Sequence, residues 1–446
     1  MGNQSLDTLF AVGLAAALAP AIVAVLPGGM VPQVVVLVLA GVLIGPHGLG
    51  VASAPSIVLL TNIGLGFLFL LAGYELDPRL FGQQAGRMAI AGWAASAALA
   101  VGVVALLGTF HYVYDYVPIG LALTTTALGT LLPILHDNKM LEGKFGRYVL
   151  AAGAAGELFP IVAISVFLTK RQHLIAAVSV LAVLVVALIL TPVPRLIGDR
   201  YLKAIIRQGQ RATSQATLRW AVVLLLVLLV AAEGLGLDVV LGAMLAGMVL
   251  RSWTRRQGID AGPLESKLDA VGYGIFIPVF FVASGMTLDV RSIIADPLRL
   301  LVFTVLLLVV RGLPALLIYA RVLPFRQRLE MTFITATTMP LLIALAEIGL
   351  QDGVMLPSNA AALVGAGVLS VLIFPTVASV LDRGQRPRPA AGEPAARSQA
   401  GASHSAEPEL AAGRYSAATM PSSSSSDFSR SIGSPYGCGQ FLPVCQ

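Results

Sequence analysis

The chain has 446 residues, of which 57% are hydrophobic and only 12% are charged, and its mean hydropathy is +0.85. Soluble domains carry about 25% charged residues, so this composition excludes a soluble enzyme with one anchor and indicates a polytopic membrane protein. The net charge of +6 does not indicate nucleic-acid binding, because the basic residues stand in short loops between apolar runs.

Thirteen apolar segments follow one another along the chain, and each is interpreted as a transmembrane helix of an all-α protein. The first could pass for a signal peptide, but no basic residue precedes it, so a retained span is predicted. Residues 382–446 are rich in Pro, Ala, Ser and Gly, which predicts a disordered tail. The segments are 6–26, 31–46, 56–74, 88–109, 117–135, 148–168, 173–194, 217–235, 237–250, 268–286, 298–320, 329–348 and 359–381.

Loop charge predicts the orientation of these spans. With thirteen spans, 18 Lys and Arg residues fall in the loops on one side of the membrane and 4 on the other. The positive-inside rule then places the basic side and the tail in the cytoplasm and the N-terminus outside. The prediction is a multi-pass protein of the plasma membrane that is surrounded by lipid.

Short motifs recur along the chain at an offset of 212 residues. The offset joins each span to the seventh after it, and seven is odd, so the two halves have opposite orientations. Such inverted repeats are typical of secondary transporters, and we predict repeats at about 6–168 and 217–381 with 173–194 as connector. The matching stretches are Gly73–Asp77 with Gly285–Asp289, Thr125-Thr126 with Thr337-Thr338, Gly153-Ala154 with Gly365-Ala366 and, at an offset of 206, Ala40-Gly41 with Ala246-Gly247.

Two symmetry-related segments are poor continuous helices. Residues 124–133 combine threonines with Gly129 and Pro133, and residues 335–340 combine threonines with Pro340, which removes a backbone donor. We predict two discontinuous helices whose free ends face a small ion. The alternative is that the threonines bond carbonyls of their own helix and Pro340 only kinks one helix. The hydroxyls predicted to contact the ion are those of Thr125, Thr126, Thr337 and Thr338.

Glu157 and Arg311 are predicted to lie near the bilayer midplane, about 15–20 Å from either end of their spans. A carboxylate at this depth is costly, so Glu157 is predicted to bind a proton or, transiently, an alkali cation; the alternative is a protonated side chain in a helix interface. Arg311 either pairs with Glu157 when no ion is bound, offsets the carbonyl ends of the broken helices, or packs structurally. Glu75, Glu233 and Glu347 lie near span ends and are expected to be solvated caps; the alternative for Glu233 and Glu347 is that they line an outer vestibule.

Several stretches within residues 6–381 resemble the monovalent cation:proton antiporter-2 family, which includes sodium/proton exchangers and potassium-efflux antiporters. The resemblance implies a homodimer, a core domain moving against a dimerisation domain, crossed broken helices in the fifth and twelfth spans, and an acidic site in the sixth. The family more often has two polar residues ending in aspartate where this chain has Gly156-Glu157, and often a serine at Ala127. The matching stretches are Ala40–Pro46, Leu71–Asp77, Thr126–Gly129, Leu241–Gly247 and Ile277–Met286.

These patterns together predict a secondary antiporter that exchanges Na⁺ or K⁺ for protons by competition at Glu157. No nucleophile–base pair, metal-ligand set or phosphate loop is visible in the sequence, so neither an enzyme nor a cofactor is predicted. Two other classes stay open. A Na⁺-coupled organic-anion symporter of similar fold needs a larger polar cavity, and a non-transporting membrane sensor needs a structured partner-binding tail.

Overall fold

The computed structural model describes residues 2–25, 31–110, 114–137, 140–141, 143–168, 172–193, 215–256 and 262–383. Every regular element in these ranges is helical, as the sequence predicted. Ten helices are long and apolar enough to cross a membrane by length and composition. The predicted tail from residue 384 onward, and the basic loop residues at 170–171 and 195–211, lie outside these ranges.

The α-helices are numbered in chain order within the described ranges. The first nine are α1 Gly2–Val25, α2 Gln33–Ile44, α3 Val58–Glu75, α4 Gln84–Thr109, α5 Tyr116–Ala122, α6 Leu128–Asp137, α7 Gly143–Phe167, α8 His173–Leu190 and α9 Ala216–Gly234. The others are α10 Val239–Arg256, α11 Gly262–Val271, α12 Ile277–Thr287, α13 Val290–Ala295, α14 Pro297–Leu307, α15 Leu313–Ile318, α16 Phe325–Ala336, α17 Pro340–Gln351 and α18 Pro357–Arg383.

The observed helices fall where the sequence predicted spans, but three of the thirteen segments do not meet the length and hydropathy of a simple span. Helix α2 has only 12 residues. The fifth segment is divided between α5 and α6, and α10 ends in a polar run that contains Arg251 and Arg255. The twelfth segment is also divided, between α16 and α17, but the two parts together are long and apolar enough to count among the ten spans. The irregular helices are the ones that lie around the site described below.

Two helices contain a single π-helical turn, a feature that hydropathy gave no reason to expect. One turn, Gly272–Phe276, joins α11 to α12, and the other, Leu308–Gly312, joins α14 to α15. Such turns are often found at functional sites, because the extra residue redirects the side chains around it. Tyr273 and Arg311 lie within these two turns.

Four glycines bring two pairs of helices into backbone contact. Gly41 of α2 faces Gly285 of α12, and Gly73 of α3 faces Gly247 of α10. A Cβ atom at any of these four positions would overlap a backbone carbonyl of the facing helix. Small residues allow membrane helices to pack at this short distance. Because the sequence repeat matches Gly41 with Gly247 and Gly73 with Gly285, the two contacts are reciprocal.

Gly73→Val is therefore expected to destabilise the protein by about 1–3 kcal/mol, since the facing backbone cannot move aside as a flexible side chain can. The measurement is the thermal unfolding midpoint of the full chain in detergent. Gly102→Val is the matched control, because a Cβ at Gly102 of α4 meets no atom within 4 Å. Equal midpoints for the two variants would contradict the close packing of α3 on α10.

The repeated motif ends in an aspartate that caps the next helix. The Arg79 backbone N–H donates to Asp77 Oδ1 at 3.1 Å, and the Ser292 N–H donates to Asp289 Oδ1 at 3.2 Å. Partial burial raises the pKa of Asp77, but the 2.6 Å hydrogen bond from Arg255 and the backbone bond outweigh it and hold that pKa below its usual range. Hydrogen bonds from Ser292 lower the pKa of Asp289. Both aspartates are thus ionised caps, which explains why the motif recurs.

Candidate functional site

The two interrupted helices meet at their breaks. Residues 123–127 separate α5 from α6, and residues 337–339 separate α16 from α17. The backbone N–H of Ala127 donates to the Thr337 carbonyl at 3.0 Å, so the two non-helical segments are directly bonded. We call this contact the crossing. It satisfies part of the backbone that the breaks leave without helical partners.

The break in the fifth segment lies earlier than the sequence predicted. Gly129 and Pro133 both fall within α6, in its first turn and in its second half respectively, rather than at the break. The reason is tertiary, because the Thr126 N–H finds its acceptor in the Gly156 carbonyl of α7, at 2.9 Å. Pro340 begins α17, the position where a missing backbone donor costs nothing.

The four threonines predicted to contact an ion are all buried at the crossing. The hydroxyls of Thr125 and Thr338 lie 2.8 Å apart, and the Thr126 hydroxyl donates to the Thr335 carbonyl at 2.5 Å. The hydroxyls of Thr125 and Thr337 also donate to carbonyls of their own helices, which was the alternative interpretation. The structure thus uses these hydroxyls to hold the crossing together.

Arg311 fastens the crossing to two further helices. Its side chain is 3% exposed. Nε donates to Thr126 Oγ1 at 2.8 Å, and Nη2 donates to the Ala152 carbonyl of α7 at 2.9 Å. Nη1 lies 3.5 Å from Ser96 Oγ of α4. Within the described ranges no ion pair joins Arg311 to Glu157, so the contacts are those of a guanidinium that offsets neutral oxygens.

Gly156 leaves the space that Arg311 occupies. A Cβ atom on Gly156 would overlap Arg311 Nη2 and the Thr126 side chain. A polar side chain at this position therefore has no room beside Arg311 in this chain. The glycine at position 156 and the buried guanidinium of Arg311 therefore depend on each other sterically.

Gly156→Ala is expected to displace the guanidinium and lower the stability of the protein by about 1–3 kcal/mol, through overpacking at a site held by hydrogen bonds. Thermal unfolding in detergent measures this loss. Gly92→Ala in α4 provides the comparison, because a Cβ there has its nearest neighbour 4.0 Å away. A Gly156→Ala variant as stable as Gly92→Ala would show that Arg311 does not depend on this space.

Glu157 lies near the middle of α7 and is only 6% exposed. It lines a cavity of about 840 Å³ together with Glu75, Thr130 and Tyr273. Most of the other lining residues are apolar, and among the described residues the lining contains two carboxylates and no basic side chain. None of the four crossing threonines is part of this lining, whereas Thr130, in the first turn of α6, is. The crossing thus contributes Ala127, but none of these four threonines, to the cavity wall.

Among the residues that the structure describes, neither carboxylate of the cavity accepts a hydrogen bond or has an ion-pair partner within 4.0 Å. A buried carboxylate without a partner is strongly disfavoured as a bare anion. The arrangement can therefore hold a proton or a cation on these oxygens. It offers nothing to a nucleophilic or phosphoryl reaction.

Sequence reasoning missed Glu75, which it treated as a solvated residue at a span end. Glu75 is the last residue of α3, and its Oε2 lies 3.9 Å from the position that a Cβ would take at Gly129. A signal was available in the repeat, because the matched position in the second half is Thr287. A carboxylate present in only one of two repeats suggests a role other than capping.

Comparison with known proteins gives the family. The family model described as "Sodium/hydrogen exchanger, transmembrane" matches residues 13–381. The putative Na(+)/H(+) antiporter YjbQ of Bacillus subtilis is 26% identical over 373 residues, which cover 77% of this chain and 58% of that protein. The glutathione-regulated potassium-efflux system protein KefC of Enterobacter sp. is 28% identical over 397 residues, covering 85% and 60%. The chain thus spans about three fifths of the length of these two relatives.

Two archaeal proteins are similar over most of their length. The probable Na(+)/H(+) antiporter 3 of Methanocaldococcus jannaschii is 24% identical over 363 residues, covering 78% of this chain and 89% of that protein. The solved sodium proton antiporter MjNhaP1 from the same organism aligns with a TM-score of 0.62 at 18% identity, over 84% of this chain and 98% of that one, which shows a shared fold. The resemblance found in the sequence is confirmed, and the chain belongs to the sodium/hydrogen exchanger family of multi-pass membrane transporters.

Proposed function

We propose that the protein is a secondary antiporter that exchanges a monovalent cation, Na⁺ or K⁺, for protons at Glu157. The observation that carries this proposal is the Glu157 carboxylate, which is 6% exposed, lines a cavity from near the middle of α7 and has no hydrogen-bond or ion-pair partner among the described residues. A proton and a cation compete for the same two oxygens, so one site that alternates between the two membrane faces couples their movements. The names of the relatives, Na(+)/H(+) antiporters and a potassium-efflux protein, agree with this exchange.

The proposed architecture has thirteen spans in two inverted repeats. The ten long apolar helices support this count when α2, the pair α5 and α6, and α10 are added to them. The reciprocal contacts of Gly41 with Gly285 and of Gly73 with Gly247 support the repeat, because two related halves that meet around a pseudo-two-fold axis make each contact twice. The homodimer implied by the family resemblance belongs to the same proposal, and the mass of the purified protein tests it.

We further propose that the cavity opens toward the cytoplasm. Gln33 begins α2, Glu75 ends α3 and Ser379 lies near the end of α18, and all three line the cavity. With thirteen spans these helix ends share one side of the membrane, the side whose loops carry the excess of Lys and Arg. The N-terminus then lies outside, and the chain after α18 lies in the cytoplasm.

The cavity lining favours cations over the organic anion of the alternative symporter. An anionic substrate would meet two carboxylates and no basic side chain among the described lining residues. Arg311, the deep positive charge, faces neutral oxygens at the crossing and is not part of this lining. Among the described residues that line the cavity, Glu157 is the only carboxylate near the middle of a helix, which supports an exchange of one proton for one cation.

The test uses the full chain in proteoliposomes that contain a pH-sensitive dye. Addition of Na⁺, K⁺ or Li⁺ is expected to move protons, at a rate that does not respond to an imposed membrane potential. Net charge moved in each cycle would overturn the one-to-one ratio. The absence of proton movement with all three cations would overturn antiport and favour a non-transporting sensor.

A further inference from the structure

We propose that Glu75 is a second cation-binding group of the transport cavity, which receives the monovalent cation between the cytoplasm and Glu157. The inference rests on the proposed antiport and deepens it, because it assigns part of the binding energy to a residue on a different helix. The observation behind it is that α3 and α7 each contribute one carboxylate to the same cavity, and neither has a hydrogen-bond or ion-pair partner in the part of the chain that the structure describes.

The position of Glu75 distinguishes it from an ordinary residue at a helix end. It is half-buried, and it lies where α3 ends beside the first turn of α6. Glu157 is 6% exposed and faces the same space from the middle of α7. A cation that enters from the end of α3 therefore reaches Glu75 before it reaches Glu157.

Among the described residues, two arginines of α10 approach the end of α3, and both bind groups other than Glu75. Arg251 of α10 donates a hydrogen bond from Nη1 to the Tyr74 carbonyl, and Arg255 donates to Asp77 Oδ2 at 2.6 Å. The carboxylates of Asp269 and Glu265, both on α11, act on Glu75 more strongly than Arg251 does. The excess of negative charge creates a local potential that attracts a cation.

The cavity has room for a cation with much of its hydration shell. Its volume of about 840 Å³ equals on the order of two dozen water molecules at about 30 Å³ each. The Thr130 hydroxyl donates to the Ala127 carbonyl at 3.2 Å, so its oxygen lone pairs remain available to a ligand. Oxygen atoms of carboxylate, hydroxyl and phenol groups are suitable ligands for hard cations. Here these are supplied by Glu75, Thr130 and Tyr273.

The experiment measures the cation concentration that gives half-maximal proton exchange, with Na⁺ and K⁺ as probes and the full chain in proteoliposomes. Glu75→Gln is expected to raise this concentration by about tenfold or more, equivalent to about 1.4 kcal/mol, because an uncharged amide attracts the cation less strongly. Exchange at saturating cation is expected to remain. Glu233→Gln, the same substitution at an exposed glutamate near the end of α9, is expected to match the unmodified protein.

The outcomes separate this inference from the proposed function. If the unmodified protein exchanges and Glu157→Gln does not, but Glu75→Gln keeps the original half-maximal concentration, the second site is overturned while the antiport stands. No exchange by the unmodified protein overturns the antiport itself. Should Glu75→Gln fail to fold, Glu75→Asp replaces it. A raised half-maximal cation concentration in Glu75→Asp supports the proposal, and an unchanged half-maximal concentration overturns it.

Discussion

Glu157→Gln is expected to lower cation-dependent proton movement by about a hundredfold or more, the size expected when about 3 kcal/mol of charge-mediated binding is lost. Glutamine keeps the shape of the side chain, but it neither accepts a proton at physiological pH nor carries the charge that holds a cation. Because Glu157 has no partner among the described residues, the substitution breaks no hydrogen bond or ion pair seen in the structure. Folding is therefore expected to survive while transport is lost.

The measurement is dye-reported proton flux in proteoliposomes, with Glu157→Asp as the control that retains a carboxylate. Competition also fixes the sign of the pH dependence in the unmodified protein. The half-maximal cation concentration is expected to rise as pH falls, by up to about tenfold per pH unit, because protons occupy the site. Exchange that persists in Glu157→Gln, or a half-maximal concentration that is independent of pH, would contradict the competition.

Arg311→Ala is expected to destabilise the protein by about 3–5 kcal/mol, because it removes a buried charge and leaves its acceptors without a donor. The acceptors at hydrogen-bond distance are Thr126 Oγ1, at 2.8 Å, and the Ala152 carbonyl, at 2.9 Å. Loss of this link is expected to loosen the crossing against α7, which then keeps only the Thr126 N–H to Gly156 carbonyl bond, and so to abolish exchange as well. The stability of Arg311→Lys is expected to lie between those of the unmodified protein and Arg311→Ala, because an ammonium group lacks the planar fork that reaches both oxygens.

Thermal unfolding in detergent, followed by reconstitution of the surviving protein, checks this prediction. Arg255→Ala is the matched control. Its guanidinium bonds Asp77 Oδ2 at 2.6 Å, but the side chain is 46% exposed, and exposed ion pairs contribute only about 0–1 kcal/mol. If the two alanine variants were equally stable, the crossing would not depend on Arg311.

The spans could be predicted because hydropathy reports directly on transfer into lipid, and α7 and α14 lie where the apolar runs placed them. The interruptions were only partly predictable. Threonines and Pro340 signalled that the twelfth segment is irregular, and it resumes as helix at Pro340. The first break lies at residues 123–127 because the Thr126 and Ala127 N–H groups find acceptors in α7 and at Thr337. Those partners are distant in sequence, so no local pattern could locate them.

The same limit applies to the site. The depth of Glu157 in its span was enough to single it out, since the cost of burying a carboxylate is read from one segment alone. The partners of Arg311 come from α4, α7 and the crossing, and only packing brings these together. Glu75 looked solvated because a sequence shows how close a residue lies to the end of its span. It does not show the cavity that the residue faces.

The hydrogen bonds from Arg311 to Ala152 and from Thr126 to Gly156 link the crossing to α7, the helix that carries Glu157. Glu75 lies on a different helix, α3, which packs closely on α10 through Gly73 and Gly247. In the proposed exchange, a movement of α7 and the crossing toward the outer face would increase the distance between Glu157 and Glu75. The cation would then move outward with Glu157 while Glu75 stays in place. Glu75 would therefore help the cation to bind from the cytoplasmic side only, and would not hold it when the site faces outward.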